Sequence, residues 1–192
     1  LNEAEASYRK AITLKPDYAE AYSNLGNILK EVGRLNEAEA SYRKAITLKP
    51  DYAEAYYNLG IILKQRGRLE EALASYNKAI EIKANYSDAY NNLGNILKEV
   101  GRLNEAEVSY RKAITLKPDY AEAYYNLGNI LKEVGKLNEA EASYRKAIAL
   151  KPDYAEAYNN LGIILKQRGR LEEALASYNK AIEIKANYSD AY

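Results

Sequence analysis

Apolar residues along this chain fall into two helical patterns that alternate and return every 34 residues. In both patterns they recur three and four positions apart, the spacing of one face of an α-helix. The first complete unit shows the two stripes in order, namely Tyr22, Leu25, Gly26, Leu29 and Val32, then Leu35, Ala38, Tyr42, Ala45 and Ile46. Each unit is therefore predicted to form two amphipathic helices.

The residues between the stripes predict where these helices begin and end. Gly33 follows the first stripe, where a left-handed residue ends a helix. Pro50 follows the second stripe and cannot continue a helix. Asp51 and Glu54 have the spacing of a capping box, so we expect them to cap the next helix.

A helix pair of this kind leaves one apolar face uncovered, so neighbouring units are predicted to stack. The fold class is all-α, an α-solenoid of stacked helix-turn-helix units in a single array over residues 1–192. The array comprises a partial unit holding only a second helix, five full repeats and the start of a further repeat, at residues 1–18, 19–52, 53–86, 87–120, 121–154, 155–188 and 189–192.

The spacing of small and large apolar residues in the unit resembles that of a known family. The motif Tyr22-x2-Leu25-Gly26-x2-Leu29, followed by Ala38-x3-Tyr42 and then Pro50, resembles the tetratricopeptide repeat (TPR). Tyrosine stands where the family has tryptophan and phenylalanine, and alanine replaces the proline in two units. The resemblance implies a right-handed superhelix in which the first helices line a concave groove.

Composition excludes several classes of function. Cysteine, histidine, methionine, tryptophan and phenylalanine are absent, which removes the usual nucleophile–base pairs and transition-metal ligands. We therefore expect no enzyme, no metal and no cofactor. The net charge of +1 favours neither nucleic acid nor a membrane surface. The lack of cysteine fits an intracellular chain, and we expect a cytoplasmic one.

A longer period of three repeats overlies the short one. Residues 1–90 and 103–192 are identical at 85 of 90 positions. The five differences are Ala6/Val108, Ser23/Tyr125, Arg34/Lys136, Thr47/Ala149 and Tyr57/Asn159. Two of these pairs occupy the fifth position of a repeat, counted from Ala19 as position one.

Asparagine recurs on the first helix, on the side opposite the packing stripe. We call the sixth-position residues the asparagine ladder, namely Asn24, Asn58, Asn92, Asn126 and Asn160. A second row at position nine is interrupted by Ile61 and Ile163 and comprises Asn27, Asn95 and Asn129. Because a carboxamide both donates and accepts hydrogen bonds, such rows can bind the backbone of an extended peptide. The ladder resembles that of the O-linked N-acetylglucosamine transferase superhelix, which implies the same role here.

Two alternatives remain open for these residues. The asparagines can be merely solvated copies of a duplicated unit, although asparagine is a poor helix former that the fold does not require there. The fifth position varies beside the ladder and either selects ligand side chains or drifts freely. Its residues are Ser23, Tyr57, Asn91, Tyr125 and Asn159.

Charge on the predicted groove limits the partner. Acidic residues fill position two and part of position thirteen, and they outnumber the lysines of position twelve. Position five is never basic, so the TPR carboxylate clamp for acidic tails lacks its charges. We therefore predict a protein-interaction module for an extended neutral or basic protein segment.

Other functions remain as alternatives. One is a structural scaffold, or an array whose copies stack head to tail through the apolar stripes at its two ends. The first stripe comprises Leu1, Ala4, Tyr8, Ala11 and Ile12. Another is the substrate-recruiting array of a larger glycosyltransferase.

Overall fold

The computed structural model describes residues 1–189, which form eleven α-helices and no strand. In chain order these are α1 Asn2–Leu14, α2 Ala19–Glu31, α3 Leu35–Leu48, α4 Ala53–Gln65, α5 Leu69–Ile82, α6 Ser87–Glu99, α7 Leu103–Leu116, α8 Ala121–Glu133, α9 Leu137–Leu150, α10 Ala155–Gln167 and α11 Leu171–Ser189. The two helices predicted for each repeat are therefore confirmed.

The helices pack as stacked pairs within two compact units, Leu1–Ile96 and Leu97–Tyr192. In the first unit, each of α1 to α5 packs on the helix that follows or precedes it in the chain. In the second unit, α7 to α11 repeat this arrangement. This consecutive pairing confirms the predicted α-solenoid, because each helix is covered by its neighbours in sequence.

Each first helix ends as its glycine predicts. Gly33 has φ of 77°, in the left-handed region where a side chain is strained. The N–H of Arg34 donates to the carbonyl of Leu29 at 2.8 Å, and the N–H of Gly33 donates to Lys30 at 3.1 Å. These two bonds form a Schellman motif, which satisfies carbonyls that the helix itself leaves unpaired.

The capping box predicted for α4 is wrong. The N-cap residue is Tyr52, and no side chain caps the helix. Asp51 lies one residue too early, and its backbone carbonyl accepts the N–H of Ala53 at 3.2 Å. The ring of Tyr52 instead contacts the Nζ of Lys49, 4.8 Å from the ring centroid.

The core of each pair is a tyrosine packed against a glycine. Tyr42 on α3 is fully buried, and a Cβ added at Gly26 on α2 would lie 2.7 Å from its ring. The same contact joins Tyr144 and Gly128. Ala106 is fully buried as well.

The end of α11 differs from the predicted turn. The sequence expectation ends the fifth repeat at residue 188 and begins a further repeat at 189, whereas α11 continues through Ser189. The remainder of that predicted start, residues 190–192, lies outside the described residues.

Candidate functional site

The asparagine ladder lies on the five first helices, α2, α4, α6, α8 and α10. All five side chains are half-buried, so the ladder is neither fully solvated nor part of the core. Each carboxamide is therefore partly accessible to solvent.

The second row of asparagines has an internal role. The Tyr42 hydroxyl donates to Asn27 Oδ1 at 2.8 Å, and the Tyr144 hydroxyl donates to Asn129 Oδ1 at the same distance. These bonds satisfy hydroxyls that the core would otherwise leave unpaired. Position nine thus supports the core tyrosine of its own repeat. Asn95, on α6, also has an interaction partner.

Ladder asparagines bond to residues of the preceding repeat. Asn92 Nδ2 donates to the Tyr57 hydroxyl at 3.2 Å. Asn160 Nδ2 donates to the Tyr125 hydroxyl at 3.3 Å and to Asn129 Oδ1 at 2.9 Å. These bonds connect adjacent repeats along the ladder, a connection that the sequence pattern does not reveal.

The first two ladder residues have different surroundings. Lys30 Nζ donates to Asn58 Oδ1 at 3.4 Å, and burial lowers the pKa of Lys30. The side chain of Asn24 makes no hydrogen bond with the described residues. Asn126 does have an interaction partner. The five ladder amides are therefore not equivalent, although their residue type is.

Position five is not the uniformly exposed site that the sequence suggests. Ser23 and Asn91 are 2% and 1% exposed, so neither side chain offers a surface to a ligand. Tyr57 packs 4.9 Å from Tyr86 between ring centroids. Asn159 is exposed. Position five therefore differs in burial from repeat to repeat, and its role in selecting ligand side chains stays a prediction.

The fourth repeat repeats the aromatic arrangement of the second. The Tyr125 ring centroid lies 4.8 Å from that of Tyr154 and 6.0 Å from that of Tyr144. Both position-five tyrosines are thus held by rings of their own unit. Their hydroxyls, and not their ring faces, are directed to the ladder.

Lysines that follow the second helices alter the charge predicted for the face. Lys49 Nζ lies 3.0 Å from Glu20, and Lys83 Nζ lies 3.2 Å from Glu54. The hydrogen bond from Lys49 lowers the pKa of Glu20. In these two repeats the position-two acids are paired with lysines, so the acidic excess counted from sequence, which omitted these lysines, is smaller.

The second helices carry an ion-pair network that links repeats. Glu39 is buried, and it accepts hydrogen bonds from Arg43 at 2.9 Å, from Arg68 at 2.8 Å and from Arg66. Arg66 and Arg68 belong to the next repeat. Glu141 repeats this arrangement in the second unit. Sequence spacing predicts only the Glu39–Arg43 pair, because the other partners come from the neighbouring repeat.

Other kinds of site find no support in the described residues. Among residues 1–189, no three histidine, cysteine or acidic side chains are grouped as a metal would require. The helices described there also include none long and apolar enough to cross a bilayer.

Comparison with models of protein families identifies the family of this chain. A family model described as tetratricopeptide repeat matches residues 17–85 and 119–187. The chain belongs to the tetratricopeptide repeat family. Further models of the same family match residues 1–18, 75–108 and 94–135. No curated protein matches the chain.

Several solved structures resemble this chain closely. YrrB, described as a TPR protein with an unusual peptide-binding site, is 28% identical with a TM-score of 0.79, over 95% of this chain and 94% of its own. MamA is 26% identical with a TM-score of 0.80, over 86% and 97% respectively. BtubC from P. vanneervenii, at 22% identity and a TM-score of 0.82 over 98% and 89%, shares the fold.

Proposed function

We propose that this TPR array is a non-catalytic interaction module that binds an extended protein segment along its asparagine ladder. The observation that supports this proposal is the state of the ladder amides. Among the described residues, no buried side-chain nitrogen or oxygen lacks a hydrogen-bond partner. The unpaired groups of Asn24, Asn58, Asn92 and Asn160 are therefore accessible to a ligand. A row of such groups suits a peptide backbone, whose donors and acceptors recur along the chain.

The segment bound in this way is recognised mainly by its backbone. Glu20 and Glu54 are paired with lysines, so the first two repeats repel an acidic segment less than the sequence predicts. A neutral segment fits this face. A basic segment gains less electrostatic attraction than the charge count from sequence alone implies. YrrB, which shares the fold at 28% identity, is itself described as peptide-binding.

A peptide-array screen followed by calorimetry tests the proposal. The double variant Asn92→Ala with Asn160→Ala should weaken binding of unrelated peptides, because each lost hydrogen bond is worth about 1 kcal/mol. The matched control is Asn36→Ala with Asn104→Ala, which removes two exposed asparagines from second helices. Equal affinities for the ladder variant and this control, both folded, contradict the proposal.

A second candidate is head-to-tail stacking of copies. Helix α1 has no buried residue, and α11 exposes the apolar side chains of Leu171, Leu175 and Ile182 by 63%, 61% and 66%. A substitution at Ile12 is a poorer test of stacking, because Ile12 also lines a cleft with Tyr22 of its own chain. Ile182 is the appropriate residue to substitute.

A further inference from the structure

Asn160 has no donor left for a ligand. A carboxamide has two N–H hydrogens, and Nδ2 of Asn160 donates to the Tyr125 hydroxyl at 3.3 Å and to Asn129 Oδ1 at 2.9 Å. Asn92 in the first unit is oriented similarly, because its Nδ2 donates to the Tyr57 hydroxyl at 3.2 Å.

The surrounding bonds determine the orientation of the Asn160 amide. Asn129 Oδ1 already accepts the Tyr144 hydroxyl at 2.8 Å. If the Asn160 amide were turned over, its oxygen would face Asn129 Oδ1, and two acceptors would repel each other. The nitrogen therefore faces the preceding repeat and the oxygen faces away from it.

The oxygen that faces away is available for binding. Asn160 Oδ1 accepts no hydrogen bond from the described residues, and no unpaired side-chain oxygen among them is buried. Asn92 Oδ1 meets the same two conditions. Both residues thus present an accessible acceptor, and both direct Nδ2 toward the preceding repeat.

Asn58 has the opposite polarity. Its Oδ1 accepts Lys30 Nζ at 3.4 Å, and its Nδ2 hydrogens have no partner among the described residues. The preceding position-five residue accounts for the difference. Ser23, in the repeat before Asn58, is buried. Its side chain is too short to place a hydroxyl where that of a tyrosine would lie. Tyr57 and Tyr125 precede Asn92 and Asn160.

We infer that the position-five tyrosine of one repeat orients the ladder asparagine of the next, so that Asn92 and Asn160 accept hydrogen bonds from ligand N–H groups while Asn58 donates to a ligand carbonyl. This inference rests on the proposed function and refines it. Tyr57 and Tyr125 are then positioning residues that do not touch the ligand. The ligand must present N–H groups opposite Asn92 and Asn160, so proline is excluded there.

Solvent exchange of the side-chain amide protons tests the orientation without a ligand. Each resonance is assigned by nuclear magnetic resonance from an Asn→Ser variant. The Asn160 protons should exchange at least about fivefold more slowly than those of Asn24, since a hydrogen bond must open first. Tyr125→Phe removes one acceptor, so it should accelerate exchange at Asn160 and leave Asn92 unchanged. Exchange at Asn160 as fast as at Asn24 overturns the inference.

Backbone-modified peptides test what the ladder binds. Peptides from the array screen are synthesised with N-methyl groups, which remove a donor, or with thioamides, which weaken an acceptor. At one position of the peptide, N-methylation should weaken binding to the wild type, and it should weaken binding to Tyr125→Phe less. A thioamide at that position should leave the affinity unchanged. An N-methyl penalty identical in both proteins at every position overturns the inference. Failure of every peptide to bind overturns the proposed function, and the exchange measurement separately decides the amide orientation.

Discussion

The buried carboxylate of Glu39 offers the sharpest test of how the repeats are held together. Glu39→Gln keeps the size of the side chain but removes its charge and replaces one acceptor oxygen with an NH2 donor. Glu39 is 7% exposed and binds three arginines, of which Arg66 and Arg68 come from the next repeat. The substitution therefore weakens a connection between repeats as well as a bond within a helix.

The exposure of the arginines sets the size of the effect. Removing one partner of a fully buried ion pair costs roughly 3–5 kcal/mol. Here Arg43, Arg66 and Arg68 are 48%, 34% and 35% exposed, so water can solvate their released charges. Exposed pairs are worth only about 0.2–1 kcal/mol. The intermediate burial predicts a loss of about 1–3 kcal/mol in the free energy of unfolding.

Urea denaturation measures this loss at neutral pH, because urea, unlike guanidinium, leaves the ion pairs unscreened. Glu141→Gln repeats the experiment in the second unit, where three arginines again bind the carboxylate. Glu37→Gln is the control, since Glu37 is 51% exposed. Its substitution should lower the free energy of unfolding by less than about 0.5 kcal/mol. Equal losses for Glu39→Gln and Glu37→Gln would refute the argument from burial.

The pH dependence provides an independent check. Burial by itself raises the pKa of Glu39, but hydrogen bonds from Arg43 and Arg68 outweigh it and hold the pKa below its ordinary value. A carboxyl whose pKa is lower in the folded state stabilises the fold above its unfolded pKa, about 4.3. This contribution is lost as the pH falls through the folded pKa. The stability difference between wild type and Glu39→Gln should therefore shrink below about pH 4, and a difference independent of pH contradicts the assignment.

Three further predictions concern packing and assembly. Ala106→Leu should cost roughly 1–3 kcal/mol by overpacking, whereas Ala142→Leu at an exposed site should be nearly neutral, as thermal melting would show. Gly128→Ala places a Cβ 2.6 Å from the ring of Tyr144, so it should lower the melting temperature although alanine favours a helix by about 1 kcal/mol; an unchanged or raised value contradicts this. If copies stack head to tail, Ile182→Lys should weaken self-association in sedimentation, and a wild type that stays monomeric at high concentration excludes stacking.

Local chemistry makes the helix pairs and their turns predictable from sequence. The 34-residue period, the apolar stripes and glycines such as Gly33 identify each helix and its end, because helical spacing and a left-handed φ leave marks in the residues themselves. The same pattern also locates the ladder on the first helices.

Contacts between repeats were not predictable in this way. The orientation of the Asn160 amide depends on Tyr125, 35 residues earlier, and the burial of Glu39 depends on arginines 27 and 29 residues later. No short-range pattern records such partners. The burial of Ser23 and Asn91 at position five is of the same kind.

One pair of identical segments separates the two contributions. Residues 69–87 and 171–189 have the same sequence, yet α5 ends at Ile82 and α11 continues to Ser189. In the first copy the chain turns after Ile82, and the Tyr86 ring packs 4.9 Å from that of Tyr57. In the second copy the residue equivalent to Tyr57 is Asn159, so this ring–ring contact is not repeated. The segment itself therefore determines an amphipathic helix, and its surroundings in the folded structure decide where that helix stops.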